Sequence, residues 1–417
     1  MKKSTYKWGL LLVMAVGTWS SCQITRPYQS PDSPLKERFR APSTASDTAN
    51  LAQLPWTEIF GDTLLQKLIH QGLSANLDLK IAVERLSESQ AQLRWRKSAL
   101  YPSLTTEIGV KESRIPQSQR LDNQRRQTQY DWGLNSSWEL DIWGKLGSAK
   151  RAALAQLLST DAAKRAVQTQ LIADIATAYY ELLALDQQLE ITRKTAANRA
   201  EDAAAIALLF ENALLNGVAV VQSQANYYEA TLEMPDLEQR IKETEHQLCF
   251  LLARAPASIE RSTLSQQKST YDLRSGIPAQ LLAHRPDVQA AELNFRTAFE
   301  ETNVARASFY PALTLNASGG FSKLDWKHWL SSSSLLGSVA GGLTQPLFQN
   351  GANKARLSTN LSRQQQALFQ FEKTLLLASQ EVSNALLTTI RPGKRKIPAK
   401  SNWRRSARRS ALTRSCF

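Results

Sequence analysis

Cys22 is the residue whose surroundings most clearly predict a chemical modification. A short apolar run, Gly9–Gly17, follows a lysine-rich start, and the small residues Ser20 and Ser21 stand directly before Cys22. This order is typical of an export signal, and the run is too short for a membrane-spanning helix, which needs about 20 residues. A cysteine at this point predicts cleavage before Cys22 and its lipidation, although Trp19 occupies a position that is usually Leu. The alternative is an ordinary signal peptide with an incidental cysteine.

Other residue types that could do chemistry lack the necessary spacing. Cys249 and Cys416 are far apart, and the four histidines are scattered without ligand spacing such as HxxxH. The sequence contains no nucleophile elbow, phosphate-binding loop or dinucleotide fingerprint, and its carboxylates lie on predicted solvated helix faces. It therefore predicts no enzyme, no cofactor and no metal site. The histidines are His70, His246, His284 and His328.

The positive charge is concentrated at the end of the chain. The formal net charge is +14, but Arg391–Phe417 alone carries ten Lys and Arg residues and no acidic residue. Nucleic-acid binding would require basic residues clustered on a folded surface, and the rest of the chain is only mildly basic. We therefore predict no nucleic-acid partner.

The chain contains two related halves. At an offset of 209 positions Tyr101-Pro102 coincides with Tyr310-Pro311, and at an offset of 204 Gly147 coincides with Gly351. A duplication this long predicts two copies of one structural unit. Further pairs at the first offset are Leu73 with Leu282, Asp78 with Asp287 and Ala82 with Ala291.

Each unit begins with a helical pattern that gives way to alternation. Apolar residues at helical spacing run from Leu64 to Leu86, and Tyr101-Pro102 ends this helix. Two stretches in which apolar and polar residues alternate follow this helix. Two more extended stretches follow Tyr310-Pro311 in the second unit, and the later of them is predicted over Leu335–Phe348. Each unit is therefore expected to contribute two strands.

A very long helix follows the strands of the first unit. Neither Pro nor Gly occurs from Ser148 to Asn216, and at 1.5 Å per residue this is a helix of roughly 100 Å. It must lie against other long helices, because no globular core has that length. A turn near Leu215–Val218 leads to a return helix through about Leu252, which Pro235 is expected to interrupt.

The second alternating stretch has one apolar and one polar face. This pattern is typical of a membrane strand with lipid on one side and water on the other, and the alternative is a half-buried strand of a soluble sandwich. The predicted lipid-facing residues are Trp132, Leu134, Trp138 and Leu140, and those on the polar face include Asp131, Asn135 and Glu139.

Four strands cannot close a barrel. A sheet edge in lipid leaves backbone N–H and C=O groups unpaired at several kcal/mol each. Several chains would then close one barrel together and gather their helices into a tube, which describes an export duct. Two alternatives are a lipid-anchored coiled-coil spacer and a non-functional, truncated version of such a duct.

Several motifs carry a family resemblance from about Leu51 to about Leu387. Ile277–Val288, followed by Ala291-Glu292, is similar to the inter-repeat signature of TolC-like outer-membrane efflux proteins, in particular their lipoprotein subclass (OprM/NodT type). Tyr101-Pro102 and Leu343–Phe348 resemble the family's transitions between helix and strand. Further matching residues in the first unit are Trp56, Phe60, Asp62, Leu65, Leu68, Asn76, Leu79 and Ala82.

The resemblance implies a mainly α fold with a β part. Long helical hairpins would form a periplasmic tube, and four strands from each chain would complete a twelve-stranded barrel of a homotrimer in the outer membrane of a Gram-negative bacterium. The implied partners are a periplasmic adaptor and an inner-membrane RND-type pump that drives export of small molecules through a passive duct. Where the family usually has Gly, the tip has Ala213. The residues expected to contact the adaptor are Leu214, Leu215, Asn216, Gly217 and Val218.

These patterns divide the chain into five segments. The second unit and the family similarity are expected to stop near Leu387, before any helix that would correspond to the return helix of the first unit. Two helix-breaking prolines, Pro392 and Pro398, follow this point. We therefore expect an incomplete or frame-shifted second hairpin, impaired trimer assembly and little or no export. The segments are a signal peptide (1–21), a lipid-anchored linker (22–50), a first repeat (51–260), an incomplete second repeat (261–388) and a basic tail without family counterpart (389–417).

Overall fold

The structure is a computed structural model. The structure describes residues 24–31, 55–114, 126–267, 284–324 and 326–390. Cys22, the linker after residue 31 and the basic tail after residue 390 lie outside the described residues.

Helices dominate the architecture, and four strands are inserted between them. Three 3-10 turns complete the described structure, at Leu264–Gln266, Trp326–His328 and Ser332–Ser334. In chain order the main elements are α1 (Trp56–Ile59), α2 (Thr63–Ala75), α3 (Leu77–Ser98), β1 (Ser103–Arg114), β2 (Arg126–Leu140), α4 (Lys145–Glu211), α5 (Gly217–Leu251), α6 (Pro286–Ala307), β3 (Ala312–Lys323), β4 (Leu335–Thr344) and α7 (Ala352–Ile390).

The single helix predicted from Leu64 to Leu86 was wrong, because the chain breaks at Asn76 between α2 and α3. Asn76 ends the first helix and caps the second, where its side chain accepts a hydrogen bond from the backbone N–H of Leu79 at 3.0 Å. Its amide nitrogen donates to the carbonyl of Leu251 at 2.9 Å. Asparagine is a favoured N-cap, and this tertiary hydrogen bond fixes the bend.

α4 organises the helical layer. Its 67 residues correspond to a length of about 100 Å. It packs against α2, α3, α5 and α6. Its buried apolar side chains meet those of α2 and α5 in one core, which includes Leu65, Ile69, Ile175, Leu182, Leu183 and Leu248. A second, smaller core joins α6 to α7 through Val288, Ala291, Phe371, Leu375 and Ala378.

The interruption of the return helix at Pro235 was also wrong. α5 continues through Pro235 from Gly217 to Leu251. Proline removes one helical hydrogen bond, but the buried Leu237 and Ile241 that follow hold the helix in the core with α4. Tertiary packing therefore overrides the local helix breaker.

The four strands form one antiparallel sheet in the order β1-β2-β3-β4. The β1–β2 and β3–β4 pairs are local, whereas β2 and β3 are joined through α4, α5 and α6. β4 ends at Thr344, four residues before the predicted end of the extended stretch at Phe348.

The two halves of the chain have matching elements. α3 and α6 are both 22 residues long, and β1 and β3 are both 12 residues long. Both pairs of elements begin 209 positions apart, which is the offset of the sequence identities.

Candidate functional site

One face of the sheet is apolar across all four strands. In the observed register Leu134 faces Thr106 of β1 and Gly319 of β3, and Trp132 faces Phe321. The Trp132 and Phe321 rings stack with centroids 5.7 Å apart. Alternation places the four predicted lipid-facing residues, Trp132, Leu134, Trp138 and Leu140, on this face together with Leu104, Ile108, Val110, Leu313, Leu315, Leu335, Val339 and Leu343.

The opposite face is polar and encloses a hollow of about 310 Å³. Asn135 of β2 lines it with Asn316 and Ser318 of β3 and Ser338 of β4, and the two serine hydroxyls are 2.8 Å apart. Asp131 extends the polar face and accepts a hydrogen bond from Ser322 at 2.6 Å. Each strand therefore separates an apolar side from a hydrated one.

Among the residues that the structure describes, β1 pairs only with β2 and β4 only with β3, so both edges of the sheet are open. The apolar side chains of these edge strands are strongly exposed, and Val339 of β4 is 83% exposed. An edge of this length and apolarity is a template for pairing with another chain.

The N-terminal segment 24–31, which we call the strap, runs along α6. Asn303 anchors it, since its side chain accepts from the N–H of Arg26 at 3.2 Å and donates to the carbonyl of Arg26 at 3.0 Å. Tyr28 packs edge-on against Phe299, with ring centroids 5.6 Å apart. The sequence pattern predicts only a linker here, because the strap has no periodic signal.

The strap begins at the junction of the sheet with the helices. A Cβ added to Gly144, between β2 and α4, would lie 3.3 Å from the side chain of Thr25. Trp143 marks the same junction, where its indole N–H donates to the carbonyl of Pro311 at 2.7 Å. The described chain thus starts at the sheet end of the helices, two residues after Cys22.

Asp62 joins α2, α4 and the segment around the 3-10 turn Leu264–Gln266. Its Oδ2 accepts hydrogen bonds from Tyr179 at 2.7 Å, Ser262 at 2.5 Å and Gln267 at 2.8 Å, and its Oδ1 accepts from the N–H of Leu64 at 2.9 Å. Burial opposes ionisation, but these hydrogen bonds outweigh it and lower the pKa of Asp62 to about 2. The ionised carboxylate therefore stabilises the fold above pH ~4, and this contribution is lost as the pH falls towards about 2.

Arg261, next to Ser262, links α4 to α5. Its guanidinium donates to both oxygens of Asp186 at 2.6 and 3.0 Å and to Glu245 at 2.5 Å. The hydrogen bonds to Asp186 raise the pKa of Arg261, although burial opposes this, and those to Glu245 add to it. In the sequence, Asp62 stands out only as one of the residues that match the resembling family. No sequence pattern predicts a role for Arg261.

The predicted tip is a tight turn between α4 and α5. Ala213 has a φ of 58°, a left-handed conformation that favours glycine, at the position where the resembling family usually has Gly. Asn216 caps α5 by accepting from the N–H of Ala219 at 3.2 Å. Leu214, Leu215 and Asn216 lie in the turn, and Gly217 and Val218 begin α5. Leu214 is 69% and Val218 74% exposed, at the end of α4 farthest from the sheet.

The described residues carry no metal-binding group of three or more His, Cys, Asp or Glu side chains. Cys249 is buried, and its thiol donates to the carbonyl of Ala257 at 3.3 Å. In the same part of the chain, none of the helices combines the length and apolar character needed to cross a bilayer.

The curated relatives include outer membrane proteins of efflux pumps and an outer membrane lipoprotein. The chain is 28% identical over 378 residues to the probable efflux pump outer membrane protein SepC of Pseudomonas putida F1, covering 88% of this chain and 78% of SepC. It is 27% identical over 387 residues to the probable outer membrane lipoprotein SilC of Salmonella typhimurium, covering 91% of this chain and 83% of SilC.

Solved outer-membrane channels share the fold. The structure of CusC aligns with a TM-score of 0.81 at 25% identity, over 94% of this chain and 90% of CusC. The outer-membrane channel OprN aligns with a TM-score of 0.82 at 25% identity, over 94% of this chain and 88% of OprN. The open MtrE channel of Neisseria gonorrhoeae aligns with a TM-score of 0.77 at 25% identity, over 88% and 82% of the two chains.

The family model described as outer membrane efflux protein matches residues 68–254 and 277–411. These ranges include the α4–α5 hairpin and the four described strands, and the match extends past Leu387, where the similarity was expected to stop. The two-faced sheet, the long helices and the exposed tip accord with this match. The chain belongs to the outer membrane efflux protein family.

Proposed function

We propose that three copies of this chain close one barrel of twelve strands in the outer membrane. The observation that carries the proposal is the four-stranded sheet with one apolar face, one polar face and two open edges. In lipid, each open edge needs a strand of another copy to satisfy its backbone groups. The apolar face then contacts lipid, and the polar face with Asn135 lines the lumen.

The helices extend this barrel into a periplasmic tube. α3 and α7 are the outermost helices of the layer α3–α4–α6–α7, so they would meet the corresponding helices of neighbouring copies. We assign residues 51–260 and 261–388 to two tandem units, and the equal lengths of α3 and α6 and of β1 and β3 support this division.

The assembly would act as a passive duct for small molecules. Relatives are named as outer membrane proteins of efflux pumps, including the toluene efflux pump protein TtgF of Pseudomonas putida. A duct of this kind needs an energy source elsewhere, which we assign to an inner-membrane RND-type pump joined through a periplasmic adaptor. The chain itself would need neither a cofactor nor a catalytic residue.

The tip is the proposed adaptor contact. A photoreactive amino acid at Leu214 or Val218 is expected to crosslink to the periplasmic adaptor in cells that express the complete pump, because both side chains are exposed at the end remote from the sheet. The same probe at Arg126, at the far end of β2, serves as the control. Crosslinks from Arg126 and none from the tip would reverse the proposed orientation.

Cys22 is the proposed lipid anchor. Thr25 lies at the junction of sheet and helices, and the three residue steps from Cys22 to Thr25 span at most about 10 Å, so an anchor at Cys22 suits a membrane boundary at this junction. Mass spectrometry of the mature N-terminus is expected to find Cys22 first and acylated, and the Cys22→Ala variant to retain residues 1–21 or lose its lipid. Cleavage at another bond, or an unmodified Cys22, would contradict this assignment.

A further inference from the structure

A groove of about 780 Å³ lies in the helical layer next to the sheet. Its floor is formed by small residues of α4, including Ala149, Ala152 and Ala153, and by the adjoining surface of α6. Residues of α3 and of α7 line its two sides. Because α3 packs on α4, α4 on α6 and α6 on α7, a cavity lined by all four helices lies on the concave side of the layer.

The strap lies on the side of the helical layer opposite the groove. It contacts α6 through Phe299 and Asn303, whereas the groove is lined by Thr297 and Glu301 of the same helix. Residues two apart on a helix point in very different directions, so groove and strap occupy different faces of α6. A closed tube would therefore carry the strap outside and the groove inside.

Four arginines dominate the charge of the groove. Arg85 and Arg96 project from α3, and Arg356 and Arg363 from α7. Within the described part of the chain, no carboxylate forms an ion pair with any of these guanidinium groups. The acidic residues that line the groove are Glu88 and Glu301, which leaves an excess of positive charge.

An exposed aromatic surface accompanies the arginines. Trp95 is 62% exposed and lines the groove, and the Arg96 guanidinium lies 4.3 Å from the centroid of its ring. An indole offers a flat apolar surface for an aromatic solute. A guanidinium is weakly hydrated and presents paired N–H donors that match carboxylate, sulfonate and phosphate groups.

We propose that this groove is an anion-binding section of the duct that favours organic anions with an aromatic body. The inference rests on the proposed trimer, in which α3 of one copy lies beside α7 of the next and their arginines form a continuous belt around the lumen. A concave wall that carries charge of one sign concentrates ions of the opposite sign. Aromatic anions would be retained there as they pass.

The test is a titration of the purified, detergent-solubilised protein with 8-hydroxypyrene-1,3,6-trisulfonate, followed by fluorescence anisotropy at low salt. Changing Arg85, Arg96, Arg356 and Arg363 to Gln should weaken binding about tenfold, because each exposed ion pair contributes only a factor of roughly 1.4–5 to the affinity. The matched control changes four basic residues of α3 and α7 that do not line the groove, and it should stay within about twofold. These control residues are Arg94, Lys97, Lys354 and Lys373.

Equal affinity of the groove variant and the control, or no binding by the unchanged protein, would overturn the proposal. A double variant, Arg356→Gln with Arg363→Gln, should keep the helix content of the unchanged protein and show an intermediate affinity. It tests the proposal even if the fourfold variant does not fold. The titration needs no ion flow through the protein. Loss of conduction with intact binding would therefore refute the duct and leave the anion site in place.

Discussion

Replacing Leu134 by Arg is expected to destabilise the membrane-embedded protein by about 2–4 kcal/mol. Leu134 lies near the middle of β2 on the apolar face of the sheet. It is 44% exposed in the single chain, so an arginine there would meet no steric barrier. The expected loss comes from moving a charged side chain into lipid, and it should appear in guanidinium titrations of protein reconstituted in phospholipid bilayers.

Asn135→Arg is the matched control. Asn135 is the next residue of the same strand, is also exposed and lines the polar hollow. An arginine at this position would enter the hydrated lumen, so the expected change in unfolding free energy is below about 1 kcal/mol. Equal losses for the two variants would contradict the assignment of the apolar face to lipid and the polar face to the lumen.

Gly320→Ala is expected to cost about 3 kcal/mol, because a side chain at this position of β3 would overlap the backbone of β2. Gly320 lies directly opposite Gly133 in the register. A Cβ on Gly320 would lie 2.6 Å from the Cα of Gly133 and would overlap the carbonyl of Trp132. Both obstacles are backbone atoms, which cannot rotate away, so the strands must separate.

Gly133→Ala provides the comparison within the same residue pair. A Cβ on Gly133 would lie 3.8 Å from the carbonyl oxygen of Gly319, an ordinary contact distance. The expected change is within about 1 kcal/mol, since alanine also restricts the unfolded chain. Both variants are compared by the denaturant midpoint of the reconstituted protein. A Gly320→Ala variant as stable as Gly133→Ala would mean that the two strands do not approach as described.

The sequence indicated the strands and the turn between the two long helices because each of these leaves a local pattern. A half-solvated strand alternates with period two, which identified β1 and β2 and placed Trp132 and Leu134 on one face. The α4–α5 turn follows a long segment free of Pro and Gly and contains Asn216 and Gly217. Such signals depend on neighbouring residues only.

Features that depend on distant residues could not be predicted in this way. Asn76 breaks the first helix, and its side chain also bonds the carbonyl of Leu251, 175 positions away. The strap depends on Asn303, and Pro235 is tolerated because the surrounding helix is packed against α4. The arginine groove likewise exists only where four helices from both halves of the chain come together.

The most direct test of the proposed duct is a single-channel recording in which Asn135→Cys is modified by a cationic methanethiosulfonate reagent. Cys249 and Cys416 are first replaced by Ser. If three copies close one barrel with Asn135 in its lumen, the current should fall in three equal steps as three thiols react. Leu134→Cys, which would face lipid, should give no step. Steps at position 134, no step at position 135, or a number of steps other than three would contradict the account.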